Sequence, residues 1–351
     1  MLAPVTHILP ITTIRRERLL PVNGRIVVRK GQKVSATDVV AEAKLAQEHM
    51  LLDIARGLGL TAKEADQNLK CKSGDPVAQG DILAGPVGFT QRVVRAPRNG
   101  QVIVAGEGQI LLELEGAAFE LKAGIPGVIA ELVGERGVLI ETSGALVQGV
   151  WGNGRIDFGL LYVLARTADD PIKPDRLDVS LRGSVLLGGY CEDPQVLKAA
   201  GELPLRGLIL GSVHPDLLPV AAKARFPVIV LDGVGRRGIN PMAFKLLATN
   251  ERREVALNAE PWDRYTGRRP ELVISLPSSA ETAAPRETVE FAPGMRVLIV
   301  RAPFAGMVGI LTSIQQGMTA LPNGIKALVA EIDLEDGDHV VVPLANLEAL
   351  V

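Results

Sequence analysis

The sequence predicts a multidomain, β-rich chain with one α/β segment, and three observations carry that reading. Val185-Leu186-Leu187, Leu208-Ile209-Leu210 and Val228-Ile229-Val230-Leu231 are short apolar runs with glycine close behind each. Between them, Asp193 to Gly201 and His214 to Arg225 carry apolar residues at helical spacing, the pattern of parallel βαβ units covered on both faces. Everything before and after reads as alternating, glycine-punctuated β structure. Polar, proline-containing stretches at Thr167–Asp175 and Pro277–Pro285 divide the chain as linkers do.

Bulk composition narrows the function classes. At 351 residues there is room for about two to four domains. A formal net charge of −2 gives no global attraction to nucleic acid or anionic membrane, and 3% aromatic residues leave little for base stacking. Two cysteines, Cys71 and Cys191, with no CxxC or Cys/His cluster, speak against a disulfide framework and a structural zinc. His7, His49 and His339 are each isolated, so no metal spacing can be argued and no cofactor is expected. No segment approaches the roughly 18 uninterrupted apolar residues of a membrane helix. The N-terminus lacks a basic region before an apolar core, so the expected compartment is the cytoplasm.

The first domain is expected over residues 1–165, after an extended lead-in at 1–14. Leu20-Pro21-Val22-Asn23-Gly24-Arg25-Ile26-Val27-Val28 and Lys30-Gly31-Gln32-Lys33-Val34 open it. Lys72-Ser73-Gly74-Asp75-Pro76-Val77 and Ala96-Pro97-Arg98-Asn99-Gly100-Gln101-Val102 repeat the same phrases. Pro-x-x-Gly makes a turn and Gly-Asp-x-Val feeds a strand. This doubled motif, over about residues 18–115, resembles the barrel-sandwich hybrid fold of biotinyl and lipoyl carrier domains. Those carriers present a modifiable Lys at a hairpin tip, whereas here Lys70-Cys71-Lys72 precedes the Gly-Asp phrase. A helical insertion is expected over 44–70. Leu45, Leu51, Leu52, Ile54, Ala55 and Leu58 form a stripe, Gly57-Leu58-Gly59 ends it, and Thr61 to Glu64 forms a capping box for a second helix. Gly149 to Arg155 packs three glycines around Trp151 and reads as a tight corner.

A third domain is expected over 288–351. Gly294-Met295-Arg296-Val297, Ala302-Pro303-Phe304-Ala305-Gly306-Met307-Val308-Gly309 and Val342-Pro343-Leu344-Ala345-Asn346-Leu347 follow one another there. Their order is similar to a KOW module, the SH3-like small barrel of ribosomal proteins and NusG-type elongation factors. Arg296, Arg301 and Lys326 face Glu331, Asp333, Glu335, Asp336, Asp338 and Glu348, so this tail is acidic, and protein is its expected partner rather than RNA.

The α/β segment, 178–276, carries the candidate anion-binding residues. Ligands of open α/β sheets sit beyond the carboxyl ends of the strands, where Gly188, Gly189, Ser212, His214, Gly233, Gly235, Arg236 and Arg237 fall. Gly233 to Gly238 is a GxGxxG after a strand, but Asn240-Pro241 looks like the N-cap and first position of a helix that begins beyond the glycines. His214 near a helix start, with Ala-Arg before Pro227, is similar to the swivelling phosphohistidine domain, although the Ala-Arg phrase is displaced from the His. Cys191 beside Glu192 and Asp193 has its thiolate disfavoured by like charge, and Asp193-Pro194 reads as a helix cap.

One basic segment stands out: Arg15, Arg16, Arg18, Arg29, Lys30 and Lys33, together with Arg25. It is the candidate phosphate-contacting surface. Since nothing in the sequence pairs a nucleophile with a base or joins two carboxylates, the expected function is non-enzymatic binding or scaffolding. A protein partner or self-association as a homo-oligomer would serve it. The alternatives are a transcription- or translation-associated factor using residues 15–33, and an anion- or nucleotide-binding or phosphoryl-transfer enzyme on the α/β domain.

Overall fold

The computed structural model describes residues 2–45, 48–114, 118–263, 267–277, 285, 288–335 and 337–350. Strand holds 48% of the chain and helix 14%, which makes it β-rich with several sheets. Contacts gather it into two compact units, Met1–Arg18 with Val28–Val40 and Lys122–Val351, and Leu19–Val27 with Ala41–Leu121.

In the larger unit the chain opens with β1 (Leu2–Thr6) and β2 (Ile8–Leu19). The residues expected as a lead-in are therefore strands. Along β2, Thr12, Ile14 and Arg18 are buried while Ile11, Arg15 and Glu17 are exposed, so two charged residues, Arg16 and Arg18, share the inward face with apolar ones. β2 pairs with β3 (Gly137–Gln148).

β4 (Ile156–Val163), β5 (Ser184–Cys191), β6 (Gly207–Val213) and β7 (Val228–Val234) form the parallel run. The crossovers hold α1 (Pro194–Glu202) and α2 (Leu218–Ala222). Every residue of β5 is buried. Val185 and Leu187 join a core containing Ala243 and Leu247, while Leu186 joins Val196, Ala200 and Ala221 on the other face. Burial on both faces is why these strands read as unbroken apolar runs. α3 (Pro241–Thr249) then lies on the first of those faces. β8 (Glu254–Asn258) pairs antiparallel with β4, β9 (Glu271–Ser275) with β8, and β3 with β9.

This sheet runs across the expected boundary between domains 1–165 and 178–276. β3 and β4 belong to the same sheet as β5 to β9, because β4 has ladder partners on both sides, β5 and β8. The expected linker at 167–175 is packed rather than free: Pro171 bridges to Tyr190 and Ile172 is 4% exposed. Most of the other expected linker, 278–284, lies outside the described residues. At the glycine corner, Trp151-Gly152 pairs with Val230 and Ile229, and a Cβ on Gly152 would sit 2.3 Å from the Ala259 carbonyl oxygen.

The C-terminal sheet contains β10 (Arg296–Ile299), β11 (Val308–Ile314), β12 (Val329–Leu334), β13 (His339–Pro343) and β14 (Leu347–Leu350). It runs Thr288–Glu290, β1, β14, β10, β11, β12, β13. β1 is parallel to β14, with Val5 beside Ala349, and Ala3 and Val5 pack in one core with Val297, Leu311 and Ile332. The two ends of the chain thus complete one sheet, covering an edge of β14 that would otherwise be open.

In the smaller unit, Gln109–Leu114 pairs with Gly100–Gly106 and with Glu48–Asp53, and Ile82–Val87 pairs with Arg92–Arg95. The insertion expected as helix over 44–70 is therefore strand as far as Asp53, followed by the short helices Ile54–Leu58 and Ala62–Gln67. Six ladder pairs with Gln109–Leu114 hold 48–53 as an edge strand of its sheet, where the sequence pattern alone allowed a helix. The Thr61–Glu64 capping box is present, and Gly59 ends the first helix at φ 71°. Lys70 pairs through its backbone N–H with Leu83, and Cys71 is 9% exposed.

Candidate functional site

Strand register assembles a polar row at one end of the large sheet. Gln148 of β3 stands beside Glu271 of β9, and Glu271 beside Asn258 of β8. Neighbours across adjacent strands project from the same face. All three are buried, at 8%, 4% and 5% exposure. Polar groups out of water need partners, and here they are His7 for Gln148, Arg16 of β2 for Glu271 and Glu260 for Asn258.

Arg16 grips Glu271 with Nε and Nη2, at 3.0 and 2.7 Å. Arg18, two residues on and so on the same face, donates Nη1 and Nη2 to the two oxygens of Glu260, at 2.5 and 2.7 Å, and Nε to the Lys122 carbonyl. Arg269, with 4% of its side chain exposed, donates Nη1 to Glu348 and to Thr6, whose hydroxyl in turn donates to Glu348. Its guanidinium lies 4.8 Å from the Trp262 ring centre. Burial acts to raise the Glu260 carboxyl, but the hydrogen bonds and charge of Arg18, with Asn258 and Arg268, outweigh it and hold the group below the usual carboxylate range. Buried ions are tolerated here because each is paired and hydrogen-bonded.

These side chains surround a cavity of about 50 Å³. A single water needs roughly 10–15 Å³ by such a measure, so the space suits a few waters or one small group. The bonds around it leave donors over. The His7 backbone N–H donates to Gln148 Oε1, which fixes the amide so that Nε2 has no acceptor among the described residues. Arg269 likewise has no described acceptor for Nε and Nη2. Within the lining, Arg16, Arg18, Arg268 and Arg269 face Glu17, Glu260 and Glu271, while Glu348 partners Arg269 from outside it. The cavity offers hydrogen-bond donors in a nearly charge-balanced frame.

Several of the expected anion-binding residues at the ends of the parallel strands have partners within the fold. Ser212 is fully buried; its oxygen accepts from the Arg237 N–H, and its hydroxyl lies within bonding distance of the Gly235 and Arg237 carbonyls. A Cβ on Gly189 would fall 1.8 Å from the Asp170 carbonyl oxygen, and one on Gly188 would touch Ile172, so the 170–172 segment covers both. Gly233 and Gly235 have φ near 120°, with open space beside them. Arg236 bonds the Tyr190 hydroxyl and Glu192, and Arg237 lies against Gly306. His214 Nδ1 accepts from the Asp216 N–H at 3.4 Å as the cap of a single 3₁₀ turn. Asn240 caps α3 and Asp193 caps α1, as their sequence contexts predict. Burial, more than the neighbouring Asp193, pushes the Cys191 thiol up to about 12, which leaves it unreactive.

The basic segment is not one surface. Arg16 and Arg18 point inward to carboxylates, and Arg15 pairs with Glu141 at 2.6 Å. Arg29, Lys30 and Lys33 are exposed. Among the described residues no group of three His, Cys, Asp or Glu side chains could hold a metal.

Gln148, Asn258, Arg269 and Glu271 are absent from the residues that the sequence singles out. One signal was available: in β2, Arg16 and Arg18 fall in the same alternation phase as Thr12 and Ile14, and arginines on a buried face require buried carboxylates. Which carboxylates answer them depends on cross-strand register, which no local pattern encodes. Comparison with family models and with curated proteins found no match for this sequence.

Proposed function

We propose that the chain is a non-enzymatic ligand-binding protein, with the polar cavity at the ends of β3, β8 and β9 as its binding centre. The observation that carries this is the set of donors on the cavity lining: Gln148 Nε2 and Arg269 Nε and Nη2 have no acceptor among the described residues. Preformed donors in a small, partly open cavity suit recognition, because they need no reordering when a ligand arrives. Catalysis draws no such support. Among the described residues the lining contains no Ser, Cys, His, Tyr or Lys to act as nucleophile or proton carrier, and its carboxylates are tied to guanidinium groups or lie exposed.

A thermal-shift panel tests the reading, using small carboxylates, phosphate, amides, polyols and ammonium compounds. At least one class should raise the melting temperature of the wild type and fail to do so when Gln148 is replaced. A ligand at about 100 times its dissociation constant adds about 2.7 kcal/mol, which such a scan detects. If no class shifts the wild type, the cavity is a hydrated structural feature and the reading fails.

A further inference from the structure

Resting on that reading, we infer that the ligand group taken by this cavity is a single carboxylate. Three features select it. Among the described residues, the lining donors without an acceptor are the Gln148 amide and the Nε and Nη2 of Arg269, joined by exposed Arg268, while Glu17 is the one lining carboxylate that no described guanidinium holds. These donors favour an acceptor, since a ligand N–H placed against them would meet another N–H. The size, about 50 Å³, admits a group of about three to five heavy atoms, so it bounds the ligand group without choosing among small acceptors.

The charge pattern decides between acceptors. Four guanidinium groups face three carboxylates in the lining, and Glu348 lies behind Arg269. The frame can stabilise one negative charge through oriented donors, and it lacks the excess that a doubly charged phosphate or sulfate requires. A neutral carbonyl would use the same donors, but hydrogen bonds to an ionised acceptor are roughly twice as strong. Arg269 is also held by the Trp262 ring and Thr6, so its outer N–H groups stay directed without the ligand. Glu271 and Glu260 are occupied by Arg16 and Arg18 and so repel an incoming anion less than free carboxylates would.

Gln148 gives a clean test, because its two ends do different things. Its oxygen holds the His7 N–H, while its nitrogen serves the cavity. Gln148→Glu keeps an oxygen for His7 and turns the cavity donor into a charged acceptor. Gln148→Met removes both. Calorimetric titration of the full chain with acetate, acetamide, sodium phosphate and methylammonium, in chloride-free buffer near pH 7, provides the readout. We expect saturable acetate binding to the wild type, acetamide and phosphate each weaker by about tenfold or more, and no methylammonium binding. Acetate affinity should fall about tenfold in Gln148→Met and be lost in Gln148→Glu, with circular dichroism confirming that both variants fold. If Gln148→Met does not fold, the Gln148→Glu result and the order of ligands still decide. Acetamide or phosphate binding as tightly as acetate overturns the carboxylate assignment and leaves the binding reading standing. Acetate binding that survives Gln148→Glu overturns the assignment to this cavity. If none of the four binds, the assignment fails, and the wider panel above then decides whether the binding reading fails with it.

Discussion

Asp232 shows how far one side chain can depart from its sequence context. It follows the apolar run of β7, its Oδ2 accepts from the Asn240 N–H at 2.8 Å, and burial pushes its pKa from 3.8 up to about 7 against the pull of that bond and of Arg237. The folded chain therefore keeps a proton that the unfolded chain releases between about pH 4 and 7, so this group's contribution to stability falls as pH rises through that window. Asp232→Asn keeps an oxygen for Asn240 and removes the titration. It should be more stable than wild type at pH 8 by on the order of 1–3 kcal/mol and nearly equal to it at pH 4, as read by urea unfolding. A variant less stable at pH 8 refutes this account of Asp232. Arg269 carries the opposite risk. Arg269→Met strands the buried Glu348 and should cost about 3–5 kcal/mol, whereas Arg269→Met with Glu348→Leu should recover most of it. Equal losses in the single and double variants would show that the pair is not the source.

At the scale of elements, backbone proximity sets what each glycine tolerates. Gly189 lies in β5 with the Asp170 carbonyl 1.8 Å from where a Cβ would be, and Gly201, exposed near the end of α1, has nothing within 4 Å. Gly189→Ala should destabilise by at least about 2 kcal/mol through forced displacement. Gly201→Ala should be neutral or gain up to about 1 kcal/mol of helix propensity. Thermal melts of the two variants separate them, and equal effects would contradict the packing of 170–172 over β5. Caps and apolar runs were legible because their information is local: Asp193-Pro194, Asn240-Pro241 and Thr61 to Glu64 each sit where their residue types require. Glu48–Asp53 was not legible as strand, because its leucines also fit a helical stripe and only pairing with Gln109–Leu114 decides. β1 was missed as a sheet member for a related reason, since its partner β14 is at the other end of the chain. Deleting residues 1–6 should speed amide exchange in β14 and Thr288–Glu290 more than in β5. Unchanged exchange in β14 would contradict that coupling.

For the molecule as a whole, the large sheet gathers its polar row from segments far apart in sequence: β2, β3, β8 and β9. That is why composition and motif could outline the α/β run yet pointed to its strand ends rather than to this row. The charges most suggestive of a phosphate-tracking surface, Arg16 and Arg18, are the same ones that build the cavity wall. The central claim is that the cavity binds a ligand through donors left over by this network. Nitrogen–proton correlation spectra of the labelled protein test it most directly, following the Gln148 side-chain NH₂ and the Arg269 Nε–H during titration with acetate. The account predicts saturable shifts of both signals with one shared dissociation constant, and none at exposed Arg29 beyond that of added salt. Signals that stay in place while acetate rises, or that move only linearly with ionic strength, would contradict it.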